Sequence, residues 1–260
     1  MSEASWIPVL SEVTALTADV ALQFFHGALD VETKPDGSPV TVADRAAEQA
    51  ARDWIVSRFP DDAIVGEELG ADRVQARRRW LIDPIDGTKT FLRGVSLWGS
   101  MIAVEEDGRV VAGAICCPAT GDLVVAADGE GCWWNGKRAS VSTRVTLADA
   151  TILTTDATFA HHPERALRWS ALATQVAVSR TWGDCYGYVL VATGRAEAMA
   201  DDRLNPWDVA PLIPILREAG GLFSDWQGRL WHAGDDGLAT NAILAARIRS
   251  ALGVPAGRSV

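Results

Sequence analysis

Carboxylates recur in this chain where a short apolar run gives way to a turn. Glu67-Glu68 follows Ile64-Val65-Gly66, Asp83 and Asp86 lie in Asp83-Pro84-Ile85-Asp86-Gly87-Thr88, and Asp208 follows Asn205-Pro206-Trp207. A carboxylate directly behind a buried strand is costly unless it is paired, hydrogen-bonded or bound to a cation. Taken singly, each has an ordinary explanation as a turn former or helix cap. Asp208 is placed to cap the helix behind it, and Asp44 completes a variant capping box with Thr41. As a set, with no matching Lys or Arg beside them, they read as oxygen ligands. Oxygen-only ligation selects a hard cation, and Mg²⁺ is the usual partner of carboxylates plus a substrate phosphate.

The segment from Asp83 to Thr88 carries the most information. Pro84 fixes one φ angle, so Asp83 and Asp86 can converge on a common ion. Gly87 permits close backbone approach, and the N–H groups of Gly87 and Thr88 are placed to cradle a phosphate. An alternative phosphatase chemistry uses an Asp nucleophile in an Asp-x-Asp-x-Thr loop. Here Pro84-Ile85 separates the aspartates, which is the wrong spacing for it.

The elements around these residues follow from periodicity and breakers. Val9, Val13, Leu16, Val20 and Phe24 predict an amphipathic helix over 5–26. Residues 34–39, with two prolines and a glycine, interrupt it, and a second helix is expected over 43–58, ending before Pro60. Short buried strands are predicted at 63–65 and 80–82, then a meander at 98–104, 109–116 and 123–127. Beyond residue 142 strands and helices alternate: strand 151–154, helix 163–174, strand 176–178, helix 185–193, strand 196–200. A helix from Asp208 follows, with Pro211 in its first turn and a kink expected at Pro214, closed by Gly220-Gly221 before another strand. The fold class is therefore α/β, with an α+β first half (1–141) and an α/β second half (142–260).

The formal net charge of -10 argues against nonspecific binding to nucleic acid or anionic membranes. Cys116, Cys117, Cys132 and Cys185 show no zinc-site spacing and read as small core residues in a reducing compartment. The first residues lack a basic stretch and an apolar stretch of signal-peptide type, and no apolar run approaches the roughly 20 residues that span a bilayer. A cytoplasmic location is expected.

Gly66-Glu67-Glu68, the run from Trp80 to Thr88 and Pro206-Trp207-Asp208-Val209-Ala210 resemble, in order and spacing, the signatures of the inositol monophosphatase family. Pro39-Val40-Thr41-Val42-Ala43-Asp44 and Gly220-Gly221 fit the same pattern. The resemblance covers roughly residues 34 to 230. It implies a layered αβαβα sandwich, often dimeric, and two or three Mg²⁺ per active site. Carried over residue by residue, the metal ligands fall on Glu67, Asp83, Asp86, Asp208 and the Ile85 carbonyl. Asp44, with the Thr88 hydroxyl, orients or activates the attacking water, and Glu67 belongs to the same catalytic set. Gly87 and Thr88 supply the phosphate-binding amides. Thr90 stands where many members carry Asn or Ser, a difference expected to touch packing and not ligation. Such a site fits the chemistry, because phosphoryl transfer asks mainly for positioning and charge neutralisation, which two Mg²⁺ ions roughly 3.5–4 Å apart supply.

For the substrate, Arg180-Thr181-Trp182-Gly183-Asp184-Cys185-Tyr186-Gly187-Tyr188 and the run from Met199 to Asp208 resemble the histidinol-phosphatase branch. L-histidinol phosphate carries an amino group and an imidazole, so Asp184 and Asp201 near the leaving group make electrostatic sense. Arg180 faces the substrate or pairs with an acidic neighbour. The alternative substrates are inositol 1-phosphate and fructose bisphosphate; a noncatalytic protein on this scaffold would have lost ligands or gained a basic patch.

Overall fold

The computed structural model describes residues 5–35, 37–73, 76–229 and 236–255. Two helices, α1 (Trp6–Leu22) and α2 (Val42–Arg58), flank a hairpin of β1 (Val31–Thr33) and β2 (Pro39–Thr41). The chain then builds an eight-stranded sheet from β3 (Ala63–Gly66), β4 (Gly70–Asp72), β5 (Arg78–Asp86), β6 (Gly99–Glu106), β7 (Arg109–Cys117), β8 (Asp122–Ala127), β9 (Gly131–Trp134) and β10 (Lys137–Arg138). Its order is β10-β9-β8-β7-β6-β5-β3-β4; only β3 and β5 pair in parallel, and the short helix α3 (Thr88–Phe91) sits between β5 and β6.

A five-stranded sheet follows. It contains β11 (Thr151–Thr154), β12 (Val178–Arg180), β13 (Ala198–Asp201), β14 (Gly221–Ser224) and β15 (Gly237–Asn241), in the order β12-β11-β13-β15-β14. Strands β12, β11 and β13 run parallel, while β15 is antiparallel to both its neighbours. The helices of this part are α4 (Pro163–Ala173), α5 (Asp184–Ala192), α6 (Pro206–Glu218) and α7 (Ala245–Leu252).

Side-chain alternation along the strands explains the layering. Trp80, Ile82, Ile102 and Val104 face Leu10, Val13, Ala51 and Ile55 of α1 and α2. Their neighbours Leu81 and Ala103 face Ala210 of α6, and Met101 faces Val209 and Leu212. The other side of that middle layer meets Leu153, Met199 and Ala239 of the second sheet. Ile152, Ala198 and Leu238 turn outward onto Trp169, Leu172, Ile248 and Leu252 of α4 and α7. The result is an αβαβα sandwich with α5 and α6 between the sheets.

The structure departs from the sequence-based expectations in three places. The buried face of α1 is Leu10, Val13, Thr14, Thr17, Ala18 and Ala21, leaving Leu16 at 36% exposure. Ala21 packs with Ala43 and Ala47 of α2, and Leu10 and Val13 with Ala51, so the face turned to α2 mixes small and large residues. The strand expected at 176–178 is formed by Val178–Arg180, because Thr151–Leu153 pairs with those residues. Helix α6 starts at Pro206, where Asn205 and Asp208 complete a capping box, so Pro211 lies in the second turn and not in the first. The hairpin β1–β2, β4, β9, β10, β15, α3 and α7 carry no signal that periodicity registers; most are too short.

Candidate active site

Strand alternation alone would send Asp83 and Asp86, three residues apart, to opposite faces. A bulge prevents it: Asp83 pairs with Met101 and Asp86 with Gly99, so three steps on β5 oppose two on β6. Pro84 sits inside that bulge, its carbonyl accepting a hydrogen bond from Ser100 Oγ at 2.6 Å, and Asp83 Oδ1 accepts from the Ile85 N–H at 3.0 Å. Ile85, Phe91 and Trp98 pack beneath this turn against Ala21, Ala43 and Ala47 of α1 and α2. The turn is thus pinned from below by core and from the side by sheet.

Asp208 arrives from the second half of the chain. Its Oδ2 accepts from the Asn205 N–H at 2.7 Å, which fixes the carboxylate at the first turn of α6. Oxygens of Asp83, Asp86 and Asp208 lie within 4.8 Å of one another. Burial, and then the charges of Glu67, Asp86 and Asp208, hold the Asp83 carboxyl well above the usual range. Burial followed by the charges of Asp184 and Asp208 does the same to Asp86, and burial and Glu67 push Asp208 up to about 7. Carboxyls crowded together and held above their usual range by burial and neighbouring negative charge form a poor protein core and a good cation site. Their all-oxygen donor set fits a hard divalent ion.

Glu67 follows β3 and its charge reaches Asp83, Asp208 and Asp44. In this structure its Oε1 accepts from Lys34 Nζ at 2.7 Å, and Lys34 also bonds Glu68. Lys34, in the loop of the β1–β2 hairpin, escapes sequence reasoning; an isolated lysine in a turn carries no spacing signal. Asp44, at 1% exposure, completes the predicted capping box, its Oδ2 accepting from Thr41 N and Oγ1 at 2.8 and 2.7 Å. Burial, with the Glu67 charge adding to it, raises the Asp44 pKa. Thr88 Oγ1 turns to the Ile85 carbonyl at 3.0 Å.

Gly87 adopts φ +83°, and a Cβ there would also fall 3.0 Å from Asp184 Oδ2. The positive φ favours glycine there, and the tight approach to Asp184 adds to that preference. Asp184 is the first residue of α5 and does not cap it through its side chain. Its Oδ2 instead accepts from Thr90 Oγ1 at 2.9 Å, so Thr90 has a polar role that packing alone did not suggest. The Cys185 N–H, the next along α5, donates to Asp86 Oδ2.

A cleft of about 440 Å³ opens over this cluster, within the usual range for small-molecule sites. Glu67, Asp86 and Asp208 line its floor; Asp156, Asp184, Asp201 and Asp202 line its walls, with His161, Lys89 and Arg203 among them. Asp201 is buried, and its carboxylate accepts from Thr155 N at 3.0 Å and Tyr188 Oη at 2.9 Å. Arg180 ends β12 exposed, its Nη1 on the Ser179 carbonyl at 2.8 Å, and does not line the cleft. Asp156 and His161 are likewise invisible to sequence reasoning because they sit in loops joined only by the fold; Asp202 lies in the run from Met199 to Asp208 without being singled out there.

The family profile described as "Inositol monophosphatase family" matches residues 4–254. The chain is 40% identical over 235 residues to the histidinol-phosphatase of Chlorobaculum parvum, covering 89% of this chain and 91% of that protein. It is 36% identical to the histidinol-phosphatase of Mycobacterium tuberculosis, covering 91% and 94%. The crystal structure of the extragenic suppressor protein suhB of Bartonella henselae superposes with a TM-score of 0.87 at 26% identity, over 96% of this chain and 98% of that one. Strand order, bulge and carboxylate cluster thus accompany a match along almost the whole length. This protein is a phosphoric monoester hydrolase belonging to the inositol monophosphatase family.

Proposed function

We propose that this enzyme is a Mg²⁺-dependent phosphatase of L-histidinol phosphate, releasing L-histidinol and phosphate. One observation carries the substrate choice: carboxylates not needed for a cation, Asp184 foremost, line the walls of the cleft whose floor is the Asp86–Asp208 cluster. An uncharged polyol has no use for such walls, whereas an ammonium and an imidazolium do.

Glu67, Asp83, Asp86, Asp208 and the Ile85 carbonyl would hold the Mg²⁺, two or three ions in all. Bound there, Mg²⁺ would supply charge neutralisation at the phosphoryl oxygens and would lower the pKa of a water. Asp44, fixed by Thr41, would with Thr88 orient the attacking water and accept its proton. The Gly87 and Thr88 amides bind the phosphate, a duty common to every candidate substrate. Discrimination falls to groups touching the alcohol portion. Asp184, held by Thr90 on the rim of α5, takes the substrate ammonium, with Asp201 behind it.

A charge-assisted hydrogen bond to an ammonium contributes roughly 1.5–3 kcal/mol, about 10- to 150-fold in affinity. Asp184→Asn is expected to raise KM for L-histidinol phosphate by at least about 10-fold while leaving KM for inositol 1-phosphate within about twofold. Equal losses on both substrates would refute the assignment of Asp184.

A further inference from the structure

The loop bearing Glu67 leaves β3 at Gly66 and enters β4 at Gly70. Lys34 bonds its two glutamates and the Glu67 N–H donates to the Ile82 carbonyl at 3.1 Å, and the loop's next two amides are held from α2. Glu48 lies one turn beyond Asp44 and is fully buried. Its Oε2 accepts the backbone N–H of Glu68 at 2.7 Å, and its Oε1 accepts that of Leu69 at 3.2 Å. Arg52, a further turn along, donates Nε to Glu48 Oε1 at 2.8 Å. The same guanidinium reaches the Gly70 carbonyl, and Asp72 at 3.4 Å. The fit leaves no room for a side chain between helix and loop, since a Cβ on Gly66 would fall 1.9 Å from Glu48 Oε1. Gly66 is therefore glycine because Glu48 is there.

We propose that Glu48 is the positioning residue for Glu67. Through the Glu68 and Leu69 amides it holds the Glu67 carboxylate at the cation site, and it ties that loop to the helix whose first turn carries Asp44. The glutamate following Gly66 then owes its place to a residue 19 positions earlier in the chain. A carboxylate suits this role because it can accept both amides and the guanidinium at once, while an amide side chain has one acceptor oxygen. Groups that orient metal ligands typically cost 10- to 100-fold in metal affinity when removed.

The inference rests on Glu67 being a Mg²⁺ ligand, and calorimetric titration of the chelator-treated full-length protein with MgCl₂ separates the two claims. Wild-type protein that binds no Mg²⁺ overturns both. If wild type binds, Glu48→Gln is expected to raise the Mg²⁺ Kd about 10- to 100-fold. Glu48→Asp, charged but one methylene short of the amides, is expected to do the same and stands in should Glu48→Gln not fold. Asp53→Asn, an equal charge change on the exposed side of α2, is expected to leave Kd unchanged. In metal-free wild-type protein the Glu68 and Leu69 amides should resist hydrogen exchange. A lowered melting temperature with an unchanged Kd, or unprotected Glu68 and Leu69 amides, would overturn the role of Glu48.

Discussion

Asp201 illustrates how one buried side chain reports on its surroundings. Burial pushes its carboxyl up to about 7 from 3.8, against the downward pull of its bonds from Thr155 and Tyr188. An acid with a higher pKa folded than unfolded keeps its proton in the native state. Its contribution to stability is full below about 3.8 and is lost as pH rises to about 7. Asn mimics the protonated form, so Asp201→Asn should gain on wild type as pH increases through that window. The slope should not exceed about 1.4 kcal/mol per pH unit, the effect of one proton. Denaturant unfolding of both proteins in chelator, at several pH values, measures it. A stability difference independent of pH would contradict the raised pKa.

At the scale of elements, α2 carries the most consequence. Its first turn is closed by Thr41 and Asp44, and a cap alone would account for both residues. The structure gives Asp44 a second surrounding, within reach of the Glu67 charge. Asn at 44 can still accept from the Thr41 N–H, so Asp44→Asn should keep the helix while removing the proton acceptor. We expect kcat to fall by at least about 10²-fold, the scale of a lost general base, with little change in melting temperature. A stability loss near 1 kcal/mol with normal kcat would reduce Asp44 to a cap. The capping box was legible because it is local: Thr41 and Asp44 are three residues apart. The bulge that turns Asp83 and Asp86 to one side was not, since it depends on pairing with Met101 and Gly99. Likewise the Thr90–Asp184 bond and the Glu48–Glu68 contact join residues 94 and 20 positions apart, beyond any periodicity. The close-packed face of α1 escaped for another reason: Thr17, Ala18 and Ala21 bury well without being large.

The whole molecule brings its candidate site together from the first sheet and from the two helices between the sheets. β3 and β5 deliver Glu67, Asp83 and Asp86, while α5 and α6 deliver Asp184 and Asp208 from the second half. Neither half supplies all of these carboxylates, so the candidate site forms only where the two halves meet. Among the described residues no helix is long and apolar enough to cross a membrane. On the proposed reading the phosphate end of the cleft serves any phosphomonoester, and selection among alcohols falls to the wall carboxylates, Asp184 first. The most direct test is therefore kcat/KM for L-histidinol phosphate against inositol 1-phosphate, assayed by phosphate release in Mg²⁺ with a chelated control. The account predicts a preference for L-histidinol phosphate of about 10-fold or more, the low end of one charge-assisted bond, and no release in excess chelator. A preference for inositol 1-phosphate, or undiminished release in chelator, would contradict it.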